Sequence, residues 1–280
     1  METIIGQALI FLPLVLGLYI TYAVLRIADL TVDGSFVTGA AVFGVTVSGG
    51  VSPMLAVLLA VFVGGLTGVV AAIIQNKNRV DPLIAGILMS FMLYSINLRI
   101  MGKPNIALFY LNLAFTDSVF NIITLALLLI VFLTFLLKSR YGLNMKAFGN
   151  NRLLMYELGL SPELTRAGSL ALGNALAALS GALTAIHYGY SDINMGVGVA
   201  IIGIAAVVIA TSLFAKLAGF IAHRFNDIFA LTCCLFACVL YYSIIYIALR
   251  YGIDPLNIKL LVGIMLAIAL RLRSTSTRGG

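Results

Sequence analysis

The 280-residue sequence predicts an all-α polytopic membrane protein of about 8 to 10 transmembrane segments, one of them a broken, Gly-rich helix. Three observations predict it. Hydrophobic residues make up 62% of the chain and charged residues only 10%, with a mean hydropathy of +1.12. A soluble domain carries about a quarter charged residues, so this chain lacks the polar surface to coat a globule of its size, and lipid must cover much of it. Apolar runs of the roughly 20 residues that cross a bilayer recur along its whole length. Finally, its lysines and arginines fall unevenly on the two sides that those runs define.

The first run, Ile4 to Leu25, follows only Met1, Glu2 and Thr3. With no basic region before it and no small-residue cleavage site after it, it reads as a retained span rather than a secretory signal. Phe36 to Gly50 comes next, too short and too small-sided for an ordinary span. Pro53 to Ile74, Pro82 to Ile100, Val119 to Leu137, Ala167 to His187, Met195 to Phe214 and Ile228 to Leu249 are ordinary spans, and Leu256 to Leu270 is shorter but strongly apolar. No hydrophilic stretch leaves room for a soluble catalytic domain, so residues 1–280 form one membrane domain, with a basic loop at 138–166 inside it.

Charge sets the orientation. With the 138–166 loop cytoplasmic and the spans alternating, Arg26, Lys77, Arg79, Lys138, Arg140, Lys146, Arg152, Arg166, Lys216, Arg224, Arg271, Arg273 and Arg278 lie inside, and only Arg99, Lys103, Arg250 and Lys259 lie outside. The opposite orientation inverts the positive-inside bias. The C-terminus is therefore expected in the cytoplasm, and Met1 outside if Phe36 to Gly50 crosses completely. Topology accounts for the net charge of +7, and nucleic-acid binding need not be invoked.

Several chemistries are missing. The only Gly-Lys pair, Gly102 and Lys103, lacks the upstream glycine and following hydroxyl of a phosphate-binding loop. His187 and His223 are far apart and belong to no metal-ligand cluster. His187, at the outer end of a span, reads as interfacial packing or as pathway lining. Cys233, Cys234 and Cys238 share one apolar span at a spacing that fits no zinc or redox motif, and read as small buried hydrophobes. No nucleophile with a base and no carboxylate pair is evident, so no catalytic residue, metal site or cofactor is expected.

What remains points to transport. Asp29, Asp33 and Ser35 stand between apolar stretches, just before the Gly-rich run with Gly39 and Gly44. Carboxylates at membrane depth are costly and usually face a cavity or the bundle interior. Asp33 precedes Gly39 and Gly44 by six and eleven residues, and Asp192 precedes Gly198 and Gly203 by the same offsets. This is a candidate internal repeat of the kind that flanks a transporter's central path. In that reading each Asp caps a short half-helix, and Asp29, Asp33, Ser35, Gly39, Gly44, Asp192, Asn194 and Gly198 line the pathway; capping alone is the plainer alternative. Ser169, Gly173, Ala177, Gly181 and Ala185 place a small residue at every fourth position, a stripe that lets another backbone approach. In the 138–166 loop, Asn150 and Asn151 introduce Arg152 to Gly159, long enough for two amphipathic turns that could dock a soluble partner.

Ala28 to Ala41 (ADLTVDGSFVTGAA), Leu83 to Leu108, Tyr141 to Gly159 and Gly173 to Ala206 together resemble the permeases of bacterial ATP-binding-cassette importers related to the branched-chain amino acid and ribose systems. Within that family the resemblance is to the group labelled tryptophan/tyrosine transport. It implies a pair of permease subunits, expected as a homodimer, in the inner membrane. Two ATP-binding subunits would dock below, and an extracytoplasmic solute-binding protein would deliver a small solute, such as an amino acid. It also implies that the Asp33 segment is a broken helix beside the pathway. The loop would hold a coupling helix, with Asn150, Asn151, Arg152, Tyr156, Glu157 and Gly159 at the ATPase contact. Arg99 and Lys103, on the outer side, are expected to dock the binding protein, with snorkelling of Arg99 to headgroups as the alternative. One departure is Ala210-Thr211, where the family continues with Gly-Glu. An ion-coupled secondary transporter, using Asp29, Asp33 or Asp192, is the competing reading.

Overall fold

The computed structural model describes residues 2–75, 80–109, 119–217, 226–252, 260 and 263–264. Helix α1 (Glu2–Leu18) runs into a π-helical turn, Tyr19–Val24, and then unwinds over residues 25–30. Arg26 there adopts a left-handed backbone, φ 58°. Helices α2 (Thr31–Ser48), α3 (Pro53–Ile74) and α4 (Pro82–Met101) follow, then strand β1 (Asn105–Ala107), α5 (Val119–Lys138), two loop helices α6 (Arg140–Asn150) and α7 (Arg152–Glu157), α8 (Pro162–Tyr188), strand β2 (Tyr190–Asp192), α9 (Val199–Leu217) and α10 (Asn226–Arg250). Among the described residues, seven helices are long and apolar enough to cross a membrane, and Val199–Ser212 is a shorter apolar helix. The expected span Leu256 to Leu270 lies outside the described residues except for Leu260, Gly263 and Ile264, which are helical.

The long α8 is the centre of the bundle, and its small residues explain why. A side chain on Gly39 or Gly181 would run into the backbone of Ala178 or Phe36, so α2 and α8 touch main chain to main chain. Gly17 and Gly173 seat α1 in the same way, and Gly64 and Gly68 seat α3 against Asn174, Ala178 and Leu170. In lipid, where apolar contact alone gains little, such backbone proximity supplies packing energy. The faces of α3, α4 and α5 turned away from α8 expose Leu58, Phe62, Phe91, Phe120 and Phe135.

These contacts fix the two ends of the bundle. Gly17 meets Gly173 and Ser180 donates to the Ile10 carbonyl at 2.8 Å, so α1 is antiparallel to α8. α2 runs parallel to α8, and α3 returns antiparallel. At one end β1 pairs antiparallel with β2, Asn105 opposite Asp192, which brings the ends of α4 and α8 together. At the other end lie α6 and α7. Met1 precedes a helix that starts at the ribbon end, and Arg99, Lys103 and Arg250 lie at that end too, away from Arg152. Among the described residues, the helices alternate as the charge argument assumes.

Two expectations are corrected. The Gly-rich stretch is not itself broken: up to Ser48 it lies within the continuous helix α2, in which Gly39 abuts α8. The interruption comes earlier, at residues 25–30. The 138–150 segment, read as loop from its glycines and asparagines, is helix α6. The Ser139 hydroxyl caps it by accepting from Gly142 N at 3.3 Å, and Gly142, Met145 and Phe148 form its buried face. Lys146 on α6 pairs with Asp227 at the start of α10 at 2.8 Å.

Candidate functional site

The break before α2 is anchored by a buried polar network. Asp29 is wholly buried. One of its carboxylate oxygens accepts from Thr31 N at 2.9 Å and the other from Asn174 Nδ2 at 2.7 Å. Asn174 Oδ1 accepts from Ser35 Oγ at 2.7 Å, and Ser35 Oγ lies 2.6 Å from Thr67 Oγ1. The network ties the unwound segment, α2, α3 and α8 together within the apolar bundle. Thr67 sits seven residues, roughly 10 Å of helix, before the end of α3. Buried polar groups at this depth must satisfy one another. Asp29 and Ser35, expected to line a pathway, are both buried within this network.

Asp33 faces the other way. It stands in the first turn of α2, but its carboxylate does not cap that helix. Oδ1 accepts from Ala200 N at 2.5 Å and Oδ2 from Gly198 N at 3.2 Å, so it caps the start of α9. The two free amides and the positive end of the α9 dipole suit a carboxylate. Gly198, at φ +84°, makes the turn that aims its amide there.

The expected counterpart of Asp33 behaves differently. Asp192 ends β2, half-buried, and accepts from Asn194 N at 2.8 Å and from Asn105 Nδ2 at 3.2 Å; it caps no helix. The proposed repeat therefore does not extend to local structure. Asn194 is exposed near the ribbon. Gly39 is in backbone contact with α8, whereas Gly44 has room, with Ser191 Cβ 3.4 Å from where a side chain would begin.

Beside Asp33 the structure opens a groove of about 540 Å³ between α2, α4 and the 193–197 turn. Its polar lining is Asp33, Ser90, Tyr94 and Asn97, and Ile87, Phe91 and Val197 form its apolar part. Ser90 Oγ donates to the Leu30 carbonyl at 2.7 Å, and Asn97 bridges Thr38 Oγ1 at 2.9 Å and the Gly34 carbonyl at 3.1 Å. Phe91 is 73% exposed, so the groove opens on the flank of the protomer. Sequence reasoning found Asp33 but missed Ser90, Tyr94 and Asn97.

The α6–α7 end carries a second concavity, of about 650 Å³, lined by Phe148, Arg152, Leu153, Tyr156, Glu163 and Arg166. The Arg152 guanidinium sits 4.4 Å over the Phe148 ring. Tyr156 donates to Glu163 Oε1 at 2.5 Å, and that carboxylate raises the phenol's pKa above its ordinary value. Asn150 ends α6, Asn151 accepts from Leu153 N at 3.0 Å, Glu157 ends α7, and Gly159 turns with φ +69°. Leu153, Tyr156 and Leu158 are exposed around this cleft. At the ribbon end, Arg99 closes the last turn of α4, and both it and Lys103 are exposed.

A family model described as branched-chain amino acid transport system / permease component matches residues 1–270. The chain belongs to this permease family. A tyrosine transport system permease protein of Clostridioides difficile (strain R20291) is 36% identical over 267 residues, covering 94% of this chain and 88% of the relative. An uncharacterized protein of Rickettsia prowazekii (strain Madrid E) is 42% identical over 273 residues, covering 96% and 95%. No solved structure matches. The Asp33 groove is a mostly apolar cleft with a few convergent polar groups, beside a helix that starts inside the bundle.

Proposed function

We propose that this permease is the membrane subunit of an ATP-binding-cassette importer for an amino acid with an aromatic side chain, acting as a homodimer. The groove of Asp33, Ser90, Tyr94 and Asn97 is its half of the translocation path. The observation that carries this reading is the opening of that groove on the flank of the protomer. A carboxylate beside an opening onto bare lipid would be costly, whereas a second copy laid over the groove encloses a polar path. The exposed Phe91 and Tyr94 rings suit an aromatic side chain by edge-on or offset contact. The C. difficile relative is named for tyrosine transport, which supports the same class.

In this reading the α6–α7 end faces the cytoplasm of a bacterial inner-membrane protein, as the charge bias requires, and the C-terminus is cytoplasmic. Two ATPase subunits dock on Leu153, Tyr156 and Leu158, and hydrolysis takes place in them. A solute-binding protein docks at the ribbon end. Closure of the ATPases moves α7 and α8, and the two bundles rock about the shared path. The test is reconstitution of the permease with its ATPase and binding protein in vesicles, reading uptake of labelled tyrosine. Uptake should need ATP and fall when Ser90→Phe blocks the groove. Uptake by the permease alone, driven by a proton or sodium gradient, would instead establish the secondary transporter.

A further inference from the structure

A separate cavity of about 320 Å³ lies at the ribbon end within a single protomer, between α1, α2, α8, α9 and α10. One wall is aromatic: Phe11 stacks on Tyr241 with centroids 6.4 Å apart and meets Tyr242 edge-on at 5.8 Å. Tyr188 and Tyr190, 6.1 Å apart, form the facing wall. His187 lines it, and no lysine, arginine, aspartate or glutamate does. Five polar side chains line it without a hydrogen bond to any other described residue: the Gln7 carboxamide and the phenols of Tyr188, Tyr190, Tyr241 and Tyr242. Tyr241 is only 6% exposed.

Tyr241 is buried and Gln7 and Tyr242 are half-buried, and polar groups within an apolar bundle need partners. The partner that suits this lining is flat, to lie among the rings, and carries a group that both donates and accepts. It carries no fixed charge, since the lining offers no carboxylate, ammonium or guanidinium to compensate one. We infer that this cavity is a binding site for a small neutral aromatic compound of the phenol class. Its volume falls at the small end of ligand pockets, which start near 300 Å³.

The site is distinct from the groove, and the two share no residue. They lie on opposite sides of one partition: Phe36 of α2 with Met195 and Val199 faces the cavity, while Gly34, Val37, Gly196 and Val197 face the groove. That partition is the turn whose amides Asp33 holds. A compound in the cavity braces the turn from behind, so it modulates transport without occupying the path. By reciprocity, the conformation that binds it better is the one it favours.

The test uses the full chain in lipid nanodiscs and a phenol bearing a photoreactive diazirine, with p-cresol as competitor. Labelling should map to the peptides of α1 and α10 around Phe11 and Tyr241, and p-cresol, but not zwitterionic tyrosine, should suppress it. The double substitution Gln7→Leu, Tyr241→Phe removes two hydrogen-bonding partners and should weaken competition by about tenfold. Ile202→Trp, which fills the space, should abolish labelling, while Ser90→Phe in the groove should leave it unchanged. Both cavity variants are checked for an unaltered thermal melt, and Tyr241→Phe alone, which keeps the ring, serves where either unfolds. Labelling spread over the lipid-facing sides of α3 and α5, labelling that p-cresol does not suppress, or labelling lost with Ser90→Phe would each overturn the assignment.

Discussion

Asp33 accepts a hydrogen bond from Ala200 N at 2.5 Å, capping a helix that begins 166 residues farther along the chain. One carboxylate thus joins the start of α2 to the start of α9 at the edge of the groove. Asp33→Leu removes the acceptor and leaves two part-buried amides unpaired at the positive end of α9. Loss of a cap costs about 0.5–2 kcal/mol. We expect a lower melting temperature in detergent and loss of solute uptake, with Asp33→Asn retaining most of the stability because its Oδ1 still accepts. Equal melting curves for wild type and Asp33→Leu would show that the cap contributes nothing.

The pair Asp29–Asn174 makes a different test possible. Asn174→Leu strips a wholly buried carboxylate of one partner, and an unmet buried group costs about 1–3 kcal/mol, more when charged. Exchanging the two residues, Asp29→Asn with Asn174→Asp, keeps an acceptor for Thr31 N and for Ser35 Oγ and restores the cross-link. The exchange should melt closer to wild type than Asn174→Leu does. If the exchange is the less stable of the two, the network is not what holds residues 25–30.

Gly39 and Gly44 should part company. A methyl group at Gly39 meets the Ala178 backbone, which cannot give way, and overpacking of this kind costs about 1–3 kcal/mol. At Gly44 the nearest atom is 3.4 Å away, and alanine gains roughly 0.5–1 kcal/mol of helix propensity. Gly39→Ala should therefore lower the yield of folded protein while Gly44→Ala leaves it level or raises it. The same response from both would contradict the seam between α2 and α8.

Lengthening α7 should uncouple the transporter. Inserting two residues beside Glu157 turns Leu153 and Tyr156 relative to α8 without touching a span. Membrane insertion should be normal, and ATP-driven uptake should be lost. Uptake at the wild-type rate would remove α7 from the ATPase contact.

Arg99 and Lys103, both exposed at the ribbon end, suit docking of an acidic surface. The double substitution Arg99→Glu, Lys103→Glu should raise the binding-protein concentration needed for half-maximal ATPase stimulation. Rim charges act over about 8 to 10 Å at physiological salt, mostly on encounter rate, so added salt should shrink the difference. Unaltered stimulation at low salt would leave Arg99 to the headgroups.

The spans were legible because hydropathy alone dictates them: Pro53 to Ile74 coincides with α3, and Val119 to Leu137 falls within one residue of α5. Helix α6 was not, because Gly142, Asn144 and Gly149 carry loop signals when read locally. Gly142 and Gly149 are helical because each sits against another backbone, at Leu137 and Val24. The groove was half legible. Asp33 stands out as a charge in an apolar run, but its bond to α9 depends on a contact no local pattern encodes. Ser90, Tyr94 and Asn97 did leave a signal, since steps of four and three put them on one face of an otherwise apolar helix. Asn174, the only amide within the small-residue stripe of α8, left a fainter one.

The bare seam along α8 has a mechanical consequence. Side chains that interdigitate can exchange rotamers and let helices slip, but main chain pressed on main chain at Gly17, Gly39, Gly64, Gly68, Gly173 and Gly181 offers no such slack. α1, α2, α3 and α8 therefore form one stiff unit, through which a load applied where α7 meets Pro162 would pass along the 27 residues of α8 to the ribbon. The joints of the machine lie at the margins of that unit, where α4 and the turn before α9 flank the groove.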